Sequence, residues 1–169
     1  SKATLMSGNT FGAKVWSDGY ALYPMLPRSP EITRCDGGPF FWVSEAKELG
    51  EMSWRENSKV PEAWKQAQRI RFLTEAEYLE ALAKGMGKTP KQALHLRVLA
   101  WWAANEPLRN AQPDKTAPKK PFLPGSKARK NLEQLVKLLS TTDQNQRLMK
   151  AEALRQLGRF DEALNVLQA

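Results

Sequence analysis

The sequence predicts an α+β protein that is predominantly α, with a small β-rich N-terminal unit packed on a helical-hairpin region. Glycines and prolines are concentrated in residues 1–43, where they separate short apolar segments. From Ser44 onward, apolar residues recur at the three- and four-residue spacing of amphipathic helices. We therefore divide the 169 residues into a β-rich unit (1–43), a helical region (44–109), a basic, proline-rich linker (110–125) and a region of helical hairpins (126–169).

The N-terminal unit is predicted to begin with a β-hairpin, residues 10–16 against 20–23. Ser17-Asp18-Gly19 between them is a turn sequence, because Asp braces a turn and Gly tolerates positive φ. A proline-rich crossing and a short strand near residues 40–43 follow. A unit of this size is too small to be stable alone, so we expect it to pack on the helices.

Four signals in residues 44–87 predict helix ends. Ser44 is a candidate cap for a short helix, and Pro61 suits the first turn of a second helix that continues to about residue 70. Thr74 and Glu77 have the spacing of a capping box, in which the side chain of each residue accepts a hydrogen bond from the free backbone amide of the other residue. Gly85 is typical of the residue after a helix end.

The next predicted helix runs from Pro90 to about Ala104 and is apolar nearly all round. Such a helix is usually the buried centre of a bundle, and Pro107 marks its expected end. After the linker, Ser126 is expected to cap one helix, Thr142 or Asp143 the next, and residues 160–169 form the last.

Most of the net charge of +8 lies in one short segment. Residues 108–130 carry seven basic side chains against Asp114 alone. A basic segment is the expected electrostatic footprint of a nucleic-acid-binding protein, which is our alternative functional hypothesis. The candidate basic patch consists of Arg109, Lys115, Lys119, Lys120, Lys127, Arg129 and Lys130.

Residues 151–164, AEALRQLGRFDEAL, resemble the tetratricopeptide repeat. Ala151 and Ala163 stand where the family has the small residues that let two helices approach, Gly158 stands at the turn, and Phe160 opens the second helix. The resemblance covers about 25 residues, and Arg147 and Lys150 depart from the family pattern.

This resemblance implies a protein-interaction role, with a binding groove on the inner face of the first helix. By position, the groove residues are Asn145, Leu148, Glu152 and Arg155. Leu148 and Glu152 replace the residues of the family's carboxylate clamp, so the alternative is that the hairpin serves only as a structural cap.

Two N-terminal motifs, SGNTFG with WSDG and RCDGGPFFW, resemble a module of bacterial proteins that pair a zinc-ribbon-like unit with a helical repeat region. Such modules imply two C-x-x-C knuckles, but here Gly38 stands where the second cysteine of the visible knuckle belongs, and a first knuckle would precede Ser1. Cys35 and the distant His95 cannot supply about four zinc ligands. We therefore expect no bound metal and Cys35 packed under Phe41 and Trp42; a zinc site lost or truncated is a second alternative.

No catalytic motif is present in the sequence. It contains no G-x-S-x-G, no G-x-x-x-x-G-K phosphate loop and no dinucleotide fingerprint, and a nucleophilic pair would require Cys35 to meet the only histidine, His95. We predict a non-enzymatic protein-interaction or scaffold module without a cofactor, binding an unknown protein or peptide. One cysteine, no visible signal peptide and no apolar run long enough to span a bilayer favour a cytoplasmic location.

Overall fold

The computed structural model describes residues 8–26, 28–50, 61–67, 70–110 and 124–168. The predicted α+β class is confirmed, because helices dominate and the strands form two small antiparallel pairs. In chain order the elements are β1 (Lys14–Val15), β2 (Ala21–Leu22), β3 (Ile32–Arg34), β4 (Phe40–Trp42), a 3-10 turn (Val43–Glu45), α1 (Glu62–Lys65), α2 (Glu75–Ala83), α3 (Pro90–Asn110), α4 (Ser126–Leu138), α5 (Gln144–Gln156) and α6 (Phe160–Gln168).

The N-terminal unit consists of two hairpins rather than one. β1 pairs with β2 as predicted, in a register that places Lys14 opposite Leu22, although both strands are shorter than expected. The strand predicted near residues 40–43 is β4, and it pairs with β3, which lies in the segment predicted to be a crossing. Ile32 of β3 is fully buried, so tertiary packing stabilises a strand too short to have a clear sequence pattern.

The helices predicted after Ser44 and Pro61 are much shorter in the structure. The first is the 3-10 turn, and the second is the single turn α1, which ends before Ala67 and Ile70. An isolated helix of this length gains too few hydrogen bonds to offset its nucleation cost, so it extends only where packing stabilises it.

The predicted capping box at the start of α2 is confirmed. The Glu77 amide donates to Thr74 Oγ1 (3.3 Å), and the Thr74 amide donates to Glu77 Oε2 (2.9 Å). Arg71 and Arg34 also contact the Glu77 carboxylate, at 2.7 and 3.1 Å. The hydrogen bond from Arg71 is the main reason that the pKa of Glu77 is lowered to about 2.

α3 is the central helix, as predicted, but its expected end at Pro107 is wrong. The helix continues to Asn110 although Pro107 cannot donate to the carbonyl four residues earlier. Two residues after Pro107, the Arg109 side chain turns back along the helix, and its Nη1 donates to the Trp102 carbonyl (2.7 Å). Arg109 also forms a buried ion pair with Asp18, which fixes this last turn of the helix.

α3 contributes to two of the three apolar cores. On one side Leu96 and Leu99 pack with β3, β4 and α2, and on the other Val98 and Trp101 pack with α4 and α5. A third, smaller core joins α5 to α6 through Ala151, Leu154 and Ala163. The chain therefore forms a series of helices in which α6 is the outermost described member.

The C-terminal helices begin and turn largely as predicted. Asp143 caps α5, accepting from the Gln146 amide at 2.7 Å, and Gly158 makes the turn to α6 with φ +77°. Ser126 is not a cap: it is the first residue of α4, and Gly125 occupies the cap position without a side-chain hydrogen bond.

Candidate functional site

The structure places the four predicted groove residues on α5, but only three are accessible. Asn145 is exposed, 48% of Leu148 is exposed, and the Arg155 side chain is 58% exposed. Glu152 is buried, with 8% exposure. A ligand therefore has access to the side chains of Asn145, Leu148 and Arg155, but not to the Glu152 carboxylate.

The Glu152 carboxylate belongs to an internal hydrogen-bond network. It accepts from Arg155 Nη2 (2.7 Å) and Gln156 Nε2 (2.9 Å), and Gln156 Oε1 in turn accepts from Trp101 Nε1 of α3 (2.9 Å). Burial acts to raise the pKa of Glu152, but these hydrogen bonds and one from Ser17 outweigh it, so the pKa is lowered. Glu152 of α5 is thus connected to Trp101 of α3 through Gln156.

The turn of the N-terminal hairpin lies in the cleft between α3 and α5. Gly19 approaches Met149 of α5 so closely that a Cβ at Gly19 would lie 2.9 Å from the Met149 Sδ. The Trp102 indole donates to the Asp18 carbonyl (2.9 Å). The chain's own turn therefore covers part of the surface that the repeat resemblance assigns to a ligand.

Asp18 fixes this turn through a buried ion pair with Arg109. Its Oδ2 accepts from the Arg109 guanidinium and from Asn105 Nδ2 (2.8 Å), and its Oδ1 accepts from the Tyr20 amide (3.0 Å). The two charged side chains are only 4% and 7% exposed. The Tyr20 ring lies 4.0 Å from the Arg109 guanidinium carbon, adding a cation–π contact.

The predicted basic patch is divided by the structure. Arg109 is buried against Asp18 and does not contribute to a basic surface, whereas Lys127, Arg129 and Lys130 are exposed on the first turns of α4. Arg129 lies 3.5 Å from Glu133 on the same helix. Lys115, Lys119 and Lys120 lie outside the described residues.

The residues considered for metal binding and catalysis do not converge. Cys35 is exposed in the β3–β4 turn, so the expectation that it packs under Phe41 and Trp42 is wrong. His95 stacks on Trp42, and its Nε2 lies 3.1 Å from Glu31 Oε1. Across the described ranges, no three histidine, cysteine or carboxylate side chains are grouped to hold a metal ion.

A further surface, the α6 stripe, was not identified as a site from the sequence. It consists of Phe160, Leu164 and Leu167, which are 65%, 54% and 48% exposed. Their four- and three-residue spacing places them on one side of α6, while Ala163 and Val166 pack toward α5. The spacing was visible in the sequence, but the same spacing is typical of residues that face a core.

Comparisons with models of protein families, with curated proteins and with solved structures gave no match. Among the helices that the structure describes, none is long and apolar enough to cross a membrane.

Proposed function

We propose that this protein is a non-enzymatic protein-interaction or scaffold module of tetratricopeptide-like type, and that the α6 stripe is its docking surface. The exposure of three large apolar side chains on one helix face carries this proposal. Soluble proteins rarely expose such residues side by side unless they contact a partner. An aromatic residue at one end, Phe160, suits the role of an anchor.

The shape of the surface favours an amphipathic helix as the partner. The stripe extends over two turns of α6, and a helix with its own apolar residues at four- and three-residue spacing can lie along it. The charges beside the stripe restrict how the partner helix can be positioned along α6. Glu162 is already paired with Arg159, whereas Asp161 is exposed beside the stripe. A basic residue on the partner helix next to its apolar face would complement Asp161.

The experiment compares two substitutions that add the same charge to the same helix. Leu164→Glu places a carboxylate in the centre of the stripe, and Asn165→Glu places one at an exposed position outside it. The wild-type chain and both variants are used as bait, and the captured proteins are quantified by mass spectrometry. We expect one or more proteins to be captured by wild type and Asn165→Glu and lost with Leu164→Glu.

Sedimentation of the purified chain distinguishes a partner from self-association. If wild type dimerises and Leu164→Glu does not, the α6 stripe binds a second copy of the chain instead. Equal capture by all three baits, together with monomeric behaviour of all three, would refute the proposal that the stripe is a docking surface.

A further inference from the structure

A cavity of about 500 Å³, open to solvent, lies between α2, α3 and α4 on a different part of the molecule from the α6 stripe. It is an open depression rather than an enclosed pocket, so a ligand bound there keeps part of its surface in solvent. Leu79 and Ala76 of α2 form an apolar side, while Arg97 of α3 and Lys127 and Lys130 of α4 contribute three cationic groups. The cavity therefore combines an apolar surface with concentrated positive charge.

Arg97 is the most informative of these residues. Its Nη1 donates to Asn131 Oδ1 (3.2 Å), and Asn131 Nδ2 donates back to the Arg97 carbonyl (2.9 Å), so a buried amide holds the guanidinium in place. Within the described residues, no carboxylate lies at ion-pairing distance from it. Burial lowers the pKa of Arg97, as expected for a cation that loses water without gaining a counter-charge.

The acidic residues of the cavity are engaged by other cations. Glu80 pairs with Lys84 (2.7 Å) and Arg34 (3.5 Å), and Glu133 pairs with Arg129 (3.5 Å). None of those three cations lines the cavity. The acids are thus partly neutralised from outside, which leaves an excess of positive charge facing the cavity.

The lysines are placed against the usual preference of a helix. Lys127 and Lys130 lie at the start of α4, where the backbone dipole is positive and acidic residues are favoured, yet the first turn contains no acidic residue. Glu75 of α2 is close enough to Lys127 for their charges to interact, but it does not line the cavity. An unfavourable local arrangement of this kind is typical of a functional site.

We propose that this cavity binds a phosphate-bearing ligand of nucleotide size. The Arg97 guanidinium and the ammonium groups of Lys127 and Lys130 contact the phosphate oxygens, because a planar guanidinium and two point charges suit a multiply charged oxyanion. The apolar part of the ligand lies against Leu79. The group bound is a nucleoside phosphate, and it belongs either to a free nucleotide or to one unit of a single-stranded nucleic acid.

The test uses the full chain and four probes: adenosine 5′-monophosphate, adenosine, inorganic phosphate and a fluorescein-labelled single-stranded decanucleotide. Calorimetry measures the first three, and fluorescence anisotropy the last. The double variant Lys127→Ser/Lys130→Ser removes exposed side chains only, and Lys137→Ser, an exposed lysine at the other end of α4, is the matched control. Arg97→Gln, with its fold checked by circular dichroism, is a third variant.

We expect the nucleotide or the decanucleotide to bind, with adenosine at least about 10-fold weaker, and the double variant to lose about 10-fold or more in affinity. Lys137→Ser should stay within about 2-fold of wild type. Tight binding of the nucleotide itself identifies a free nucleotide as the ligand, and binding of the decanucleotide alone identifies a strand. The proposal is overturned if no phosphate-bearing probe binds, if adenosine binds as well as its phosphate, or if the control loses as much affinity as the double variant. These outcomes do not involve α6, so they are independent of the proposed docking function.

Discussion

The buried pair of Asp18 and Arg109 gives the sharpest prediction of stability. Asp18→Ala removes a carboxylate that is 4% exposed and leaves the Arg109 guanidinium, 7% exposed, without its counter-charge. Removing one partner of a buried pair costs about 3–5 kcal/mol, because the remaining charge stays desolvated. The Asn105 amide loses its acceptor at the same time. We expect the free energy of unfolding to fall by about 3–5 kcal/mol.

Urea denaturation of the full chain, followed by tryptophan fluorescence and far-ultraviolet circular dichroism, measures this loss. Asp36→Ala is the matched control, since Asp36 is an exposed aspartate in the other N-terminal turn and its loss should change stability by less than about 0.5 kcal/mol. The double variant Asp18→Asn/Arg109→Gln should lose less than the sum of its two single variants. A loss below about 1 kcal/mol for Asp18→Ala would show that the pair is solvated or not formed.

Three further predictions follow from other buried contacts. The pKa of Glu77 is lowered from 4.5 to about 2, so ionised Glu77 stabilises the folded state by about 1–3 kcal/mol above pH 4.5. This stabilisation is lost as the pH falls from 4.5 through 2. In acid denaturation, Glu77→Gln should flatten this pH dependence of the free energy of unfolding. Leu135→Ala should cost about 3 kcal/mol in urea, because Leu135 is fully buried between helices, and a loss under about 1 kcal/mol would contradict that packing. Gly19→Ala should lower the thermal midpoint more than Gly37→Ala: both have φ above +70°, but only at Gly19 would a Cβ meet Met149. Equal shifts would argue against docking of the hairpin turn on α5.

Much of the helical architecture could be predicted because its signals are local. The capping box at Thr74, the cap at Asp143 and the turn at Gly158 each depend on residues within four positions of each other. The all-round apolar pattern of α3 likewise predicts a buried helix without knowledge of its neighbours. These features are confirmed because local hydrogen bonds and burial favour the same structure.

The features that the sequence did not predict depend on distant contacts. β3 is stabilised by the burial of Ile32 and by Thr33, whose hydroxyl donates to the Arg71 carbonyl (2.8 Å), 38 residues later. The extension of α3 past Pro107 accompanies the Arg109 contact with Asp18, 91 residues away. Neither pairing has a sequence signal of its own.

The same distinction applies to the candidate sites. Asn145, Leu148 and Arg155 are accessible as expected, but the burial of Glu152 accompanies its hydrogen bond from Gln156, which is bonded in turn to Trp101, 55 residues away in the sequence. The cavity between α2, α3 and α4 is lined by helices from both sides of the linker, so residue spacing could not reveal that Arg97 and Lys127 line the same cavity. For the α6 stripe, the four- and three-residue spacing was visible in the sequence. The sequence did not show that, among the described residues, no element covers these side chains.

The separation of Asp18 from Arg109 also has a consequence for synthesis on the ribosome. The hairpin turn emerges first, but its charge partner follows 91 residues later, which at about 5–20 residues per second is a delay of roughly 5–20 s. During that interval the Asp18 carboxylate is hydrated and the hairpin has no α3 to pack against. Docking of the N-terminal unit is therefore a late event, and a chain arrested before Arg109 should expose this segment to a protease while the same chain released at full length should protect it.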